Sequence, residues 1–286
     1  MTSALSKIGV CAALATLVSA CAPANETDAP ASNAPGSLTF VSLNPCLDAL
    51  LVELAASDRI LALSHYSQRP GGSRIDPSRL GEFSFTGGTA EEILALEPDV
   101  VLASVFLAPA TRSALERSGV RIEAFDSPRT VADSVAQLER MGDLAGNPDG
   151  AAALARAIET PLWLSEATDA NRPNPSVLLW QPGQIVAGQE TLIAQLIREE
   201  GFTSQAAELG LAQADYVTLE GVLNDPPDLL LVAGNSAGQS HPALSALTQT
   251  QVHAFDPQLF NCGGASVLDA RRELHAVRAS FEAPQP

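Results

Sequence analysis

Thr89-Ala90-Glu91-Glu92-Ile93-Leu94-Ala95-Leu96-Glu97-Pro98-Asp99-Val100-Val101-Leu102 has a second copy in the chain, Thr218-Leu219-Glu220-Gly221-Val222-Leu223-Asn224-Asp225-Pro226-Pro227-Asp228-Leu229-Leu230-Leu231 (positions 89 and 218, an offset of 129). Each copy reads as one short helix feeding one strand. The threonine hydroxyl caps the helix by accepting an amide of the first turn. Glu91 and Glu220 follow two residues on, at the positive end of the helix. Pro-Asp stops the helix, because proline cannot continue it and pushes the residue before it toward extended backbone. The apolar run that follows is short, as expected for a strand covered on both faces. A single copy is common α/β grammar, whereas two copies a domain apart predict two similar lobes.

The 286 residues suffice for two domains, and a 46% hydrophobic content favours a folded chain. The formal net charge is −17, with Lys7 as the sole lysine. Such a surface argues against nucleic-acid binding and against a polybasic membrane patch. Around the N-terminus, Lys7 precedes an apolar run, Ile8 to Val18, that is too short to span a bilayer. Leu17-Val18-Ser19-Ala20-Cys21 resembles a bacterial lipobox, which implies cleavage after residue 20 and lipidation of Cys21. An ordinary secretory signal ending near a cysteine is the alternative. The expected organisation is a signal peptide (1–20), a tether rich in Ala, Pro, Asn and Asp (21–36), an N-terminal lobe (37–128), a connecting helix (129–170) and a C-terminal lobe (171–286).

Strands are expected at 38–43, 60–63, 100–104, 121–125, 177–180, 229–233 and 252–255, separated by helices or loops. Asn44-Pro45 opens a helix in the preferred order of cap then proline, with Leu47, Leu50, Leu51 and Leu54 on one face. From Thr130 to about Leu164 the apolar spacing is helical, interrupted only by Gly146-Asn147-Pro148. The fold class is therefore α/β: two Rossmann-like lobes with mostly parallel sheets joined by one long connecting helix.

Taken together, these stretches resemble the periplasmic substrate-binding proteins of iron-siderophore and cobalamin ABC importers. The resemblance rests on Val41-Ser42-Leu43-Asn44-Pro45, on Leu63-Ser64-His65-Tyr66-Ser67 with Pro70, on the two repeats and on the 130–164 segment. It implies capture of a metal chelate, cobalamin or a ferric siderophore, in the cleft between the lobes, with no resident cofactor and no bond chemistry. It implies delivery by a monomer to an ABC permease dimer with its ATPase, in the periplasm, with a membrane anchor through Cys21. It also implies that Glu91 and Glu220 dock on the permease. An envelope sensor or interaction lipoprotein of the same fold is the alternative from another class.

In parallel sheets ligands bind beyond the carboxyl ends of strands. Cys46, His65, Tyr66, Arg69, Thr86, Gly87, Phe106, Trp180, Gln181, Asn261 and Cys262 all lie in such positions and are the candidate ligand-binding residues. For each there is a plainer reading: Tyr66 and His65 as ordinary loop residues, Trp180 as core, Arg69 as a solvated side chain. Cys46 and Cys262 have three readings, namely a disulfide, a thiolate or soft-metal site, or two unrelated thiols. No Gly-x-Gly-x-x-Gly motif appears, and His65, His241, His253 and His275 lack zinc-site spacing, so the metal question stays open and an enzyme is not expected.

Overall fold

In a computed structural model the described residues are 38–162, 174–234 and 239–282. The expected signal peptide, Cys21 and the tether lie outside them. The first lobe runs β1 (Phe40–Ser42), α1 (Pro45–Leu54), β2 (Ile60–Ser64), β3 (Phe85–Thr86), α2 (Ala90–Ala95), β4 (Val100–Ser104), α3 (Pro109–Arg117) and β5 (Arg121–Phe125). Its five strands are all parallel, in the order β3-β2-β1-β4-β5. Two helices follow, α4 (Val131–Ala145) and α5 (Pro148–Glu159). The second lobe runs β6 (Ser176–Trp180), β7 (Ile185–Ala187), α6 (Leu192–Glu199), β8 (Thr203–Ser204), α7 (Gln205–Glu208), β9 (Ala214–Tyr216), α8 (Leu219–Asn224), β10 (Leu229–Ala233), β11 (Gln251–Phe255) and α9 (Ala265–Glu282). Its sheet order is β11-β10-β6-β7-β9, with β8 also beside β6; β7 runs antiparallel to its neighbours β6 and β9.

Both copies of the repeat fold alike. Thr89 caps α2 and Thr218 caps α8, each hydroxyl accepting the amide three residues on. The aspartate after each proline then reaches the first strand of its own lobe. Asp99 Oδ2 accepts from the amide and the hydroxyl of Thr39, both at 2.8 Å, and the Asp99 amide donates back to Thr39 Oγ1 at 3.1 Å. Asp228 does the same with Ser176, at 2.7, 2.9 and 2.8 Å. The repeat is thus a clamp that fixes the start of one strand against the start of its neighbour, made once per lobe.

The expected single connecting helix is corrected to two. Gly146 adopts the left-handed conformation (φ 73°) that ends α4, and its N–H returns to the carbonyls of Gly142 and Asp143. Asn147 caps the next helix through Gly150 N, with Pro148 at its first position. The two helices pack so closely across the turn that a side chain at Gly142 would collide with the Ala151 methyl group. The apolar spacing continues through the break, which is why the sequence pattern reads as one helix.

We expect Asp99→Ala and Asp228→Ala each to lower the unfolding free energy by about 1–2 kcal/mol, the usual loss for exposed hydrogen bonds of this kind. Urea unfolding of the two variants checks this; an effect at one site only would show that the lobes do not share the clamp.

Candidate functional site

The parallel strands of the N-terminal lobe end at a common rim. β2 delivers the chain into a tight turn, His65–Gln68, where the Tyr66 amide donates to the Ser64 hydroxyl. His65 Nδ1 lies 3.2 Å from the Thr86 carbonyl, which can only accept, so Nδ1 carries the proton and Nε2 is the acceptor nitrogen. The His65 and Tyr66 rings are 4.0 Å apart, and the Arg69 guanidinium lies 4.5 Å from the centre of the Tyr66 ring. Tyr66 nevertheless stays 46% exposed. On the other side of β1, Phe106 follows β4 and is 80% exposed, its amide held by Ser104 Oγ at 3.1 Å. Phe106 thus presents a large apolar ring to solvent at the rim.

The second lobe reaches the same rim through its 256–264 segment. Cys46 and Cys262 form a disulfide with Cα atoms 5.3 Å apart. Of the three readings this is the disulfide, and it removes both cysteines from the candidate ligand-binding residues, since neither sulfur is free to bind a metal. Arg74, on the loop after Tyr66, is ion-paired to Asp269 of α9 and lies 3.7 Å from Asp256. The loop encloses a hollow of about 620 Å³ lined by Arg69, Gly71, Arg74, Leu80 and Gln258 among others.

The other candidates separate into two groups. Trp180 is corrected: it is fully buried, donating from Nε1 to Val217 O at 2.9 Å, because it shares a face of β6 with Leu178 in the core of the second lobe. Thr86 is buried too, its hydroxyl given to Glu92 at 2.7 Å. The Gly87 amide goes to the same carboxylate at 2.7 Å, so both hold the rim in shape and offer no free donor. These hydrogen bonds, from Thr86 first and then Gly87, keep the Glu92 carboxyl below the usual carboxylate range. Gln181 and Asn261 remain partly or fully exposed, the Asn261 amide bonded to Pro257 O at 2.9 Å.

Two residues escaped the sequence reading. Tyr216 ends β9, which pairs with β7 so that Tyr216 lies opposite Ile185; Ile185 in turn accepts the Gln181 amide at 2.7 Å. That register places Tyr216 level with Gln181 at the carboxyl rim of the second sheet, 69% exposed. Asp48, on α1, is fully buried and accepts the Ser64 amide at 3.0 Å and the Ser67 hydroxyl at 2.5 Å. Burial pushes its carboxyl up to about 7 against the opposing pull of the Ser67 hydroxyl and the Ser64 amide.

A family model described as periplasmic binding protein matches residues 40–253. The chain belongs to the periplasmic binding protein family. It is 27% identical over 211 residues to a cobalamin-binding protein of Halobacterium salinarum, covering 72% of this chain. The match spans 56% of that curated relative's length. Among solved structures it resembles a periplasmic haem-binding protein of Pseudomonas aeruginosa (TM-score 0.68, 22% identity, 88% of this chain and 95% of that one). It also resembles a periplasmic vitamin B12-binding protein of Vibrio cholerae (TM-score 0.63, 17% identity, 86% and 98%). At those identities the likeness establishes the fold.

The Asp48 shift fixes the sign of one pH effect. The folded carboxyl holds its proton up to about pH 7, against 3.8 as the ordinary value, so the native state binds more protons between those limits and stability falls as pH rises through them. Glu92 and Asp133, whose carboxyls are lowered, contribute stability that is lost only in more acidic solution, as pH falls through their folded values. We expect stability to decline by a few kcal/mol between about pH 4.5 and 7.5, and Asp48→Asn to flatten that decline. Chemical unfolding of both proteins across the range measures it; parallel curves would refute the assignment.

Proposed function

We propose that this chain is a lipid-anchored solute-binding protein that captures a metal chelate between its lobes and delivers it to an ABC permease with its ATPase. The single observation that carries the ligand class is the exposed rim of Tyr66, His65, Arg69 and Phe106. Two solvent-facing aromatic rings suit the flat face of a macrocycle, and a guanidinium beside them suits its anionic substituents. Tyr66 oxygen and His65 Nε2 are the groups at this rim with the chemistry to ligate a metal. Tyr216 and Gln181 would supply the opposing wall. The relatives named for cobalamin, vitamin B12 and haem support the same class, and ferric siderophores belong to it as well. Lipidation of Cys21, a monomeric state and a periplasmic location are parts of this proposal.

Titration with cobalamin, haemin and ferric siderophores tests it. We expect at least one to bind with a micromolar or tighter Kd, and Tyr66→Ala or Arg69→Ala to weaken that complex about tenfold or more. Absence of binding by all three classes would remove the chelate reading.

Permease docking is proposed for Glu91 and Glu220, exposed in the first turns of α2 and α8. Both helices start just past the carboxyl rim, after β3 and β9. Glu92, the other acid in the first turn of α2, is taken by Thr86 and Gly87, which leaves Glu91 as the outward carboxylate of that turn. The double variant Glu91→Arg, Glu220→Arg is expected to keep ligand affinity and lose stimulation of the ATPase in reconstituted vesicles. Normal stimulation would show that the two glutamates serve only their own helices.

A further inference from the structure

A buried carboxyl group is costly unless it is well partnered. The geometry shows what Asp48 does in return. Its Oδ2 accepts the Ser64 amide on one side of His65-Tyr66 and the Ser67 hydroxyl on the other. The turn also folds back on itself: Arg69 N donates to Tyr66 O at 3.2 Å and Gly72 N to Arg69 O at 2.8 Å, and a side chain at Gly72 would collide with Tyr66 O. Ser42 borders the same carboxyl group, and both Ser42 Oγ and Asp48 Oδ1 lack a hydrogen-bond partner in the structure. A proton on Oδ1 donated to Ser42 Oγ would satisfy both atoms while leaving Oδ2 to accept.

We infer that Asp48 is the positioning residue of the cleft: through Ser64 and Ser67 it holds the turn that presents His65, Tyr66 and Arg69. The inference rests on the binding role given to that turn above, but its structural half can be tested without a ligand. Among the described residues no charged side chain is bonded to the carboxyl group, and Arg69 of the same turn lies over the Tyr66 ring. Glu53 on α1 is exposed, His65 is turned to the Thr86 carbonyl, and Asp133, Glu139, Arg140 and Asp143 on the facing helix α4 are exposed. The strands β1 and β2 contribute no titratable side chain.

The test uses Asp48→Asn, Asp48→Ala and Ser67→Ala in the full chain. Asparagine reproduces the neutral acid, with an oxygen for Ser64 and Ser67 and an N–H for Ser42; alanine removes the anchor; Ser67→Ala cuts one bond from the turn side and leaves α1 intact should Asp48→Ala not fold. Hydrogen exchange of amides 64–69 is measured without ligand, with β4 amides as the internal standard, and affinity is measured with cobalamin and haemin. Both alanine variants are expected to speed exchange at 64–69 and to weaken binding about tenfold, the size of one hydrogen bond to a buried carboxyl group, with β4 unaffected. Asp48→Asn should restore both readouts to within about twofold. Exchange at 64–69 unchanged in the alanine variants overturns the inference. So does full affinity in a variant whose turn exchanges freely, or an Asn variant that is folded yet as impaired as Ala. If the parent chain binds neither of these two, the ligand reading passes to ferric siderophores, and exchange alone still decides whether Asp48 holds the turn.

Discussion

One apolar core holds both lobes. It takes Phe40, Val100 and Leu102 from the first sheet, Val177, Leu179, Leu229 and Leu231 from the second, and side chains of α1, α4, α5, α6 and α9 between and around them. The residues next along each strand turn the other way: Val41 and Val101 enter a separate cluster of the first lobe, and Leu178, Trp180, Leu230 and Val232 one of the second. This period of two, apolar on both faces, is what parallel strands buried in two layers require. Because one of those layers is common to both sheets, the lobes cannot swing apart without opening it to water, at roughly 25 cal/mol for each Å² of apolar surface exposed.

Polar and covalent ties reinforce the same junction. Gly264, in the left-handed region (φ 69°), donates its amide to Ser134 Oγ of α4 at 2.7 Å, and a side chain there would strike Leu50 of α1. The Cys46–Cys262 bond lies two residues upstream, joining α1 to the same segment. Farther along, Arg271 of α9 is fully buried and binds Glu200 at 2.8 Å, Glu199 at 2.5 Å and the Ile158 carbonyl at 2.9 Å, so that α5, α6 and α9 converge on one guanidinium. Removing the guanidinium would leave the two carboxylates that share it without its charge, which costs far more than the pairs themselves contribute. Together these contacts favour a rim of fixed spacing over a hinge that closes widely.

The sequence disclosed this architecture where local chemistry and pattern agree. The repeats carried cap, stop and buried strand in one phrase, and even their aspartates proved to be strand clamps. It was less informative where the deciding partner is remote. Trp180 follows a strand in the manner of a site residue, but its side-chain direction is set by strand parity and by Val217, 37 positions away. Tyr216 sits on a three-residue strand too short to show a period, and its place at the rim follows only from its pairing with Ile185. Asp48 shares a helix face with leucines, and only the serines of a later turn explain it. Cys46 and Cys262 are 216 residues apart, a separation that favours a bond only through the expected compartment and leaves a metal site and two free thiols open until the fold is known.

These observations bear on how a rim of fixed spacing recognises a ligand. Binding loses free energy to every side chain and loop that must be ordered on contact. Here the backbone of the rim is ordered beforehand, by Asp48 under the Tyr66 turn, by Glu92 under Thr86-Gly87, and by Ser104 under Phe106. The exposed rings and the Arg69 guanidinium stand on that held backbone while making few bonds of their own. Rigidity therefore resides in buried or rim-forming polar groups, and the exposed side chains above them can be exchanged without disturbing the scaffold beneath.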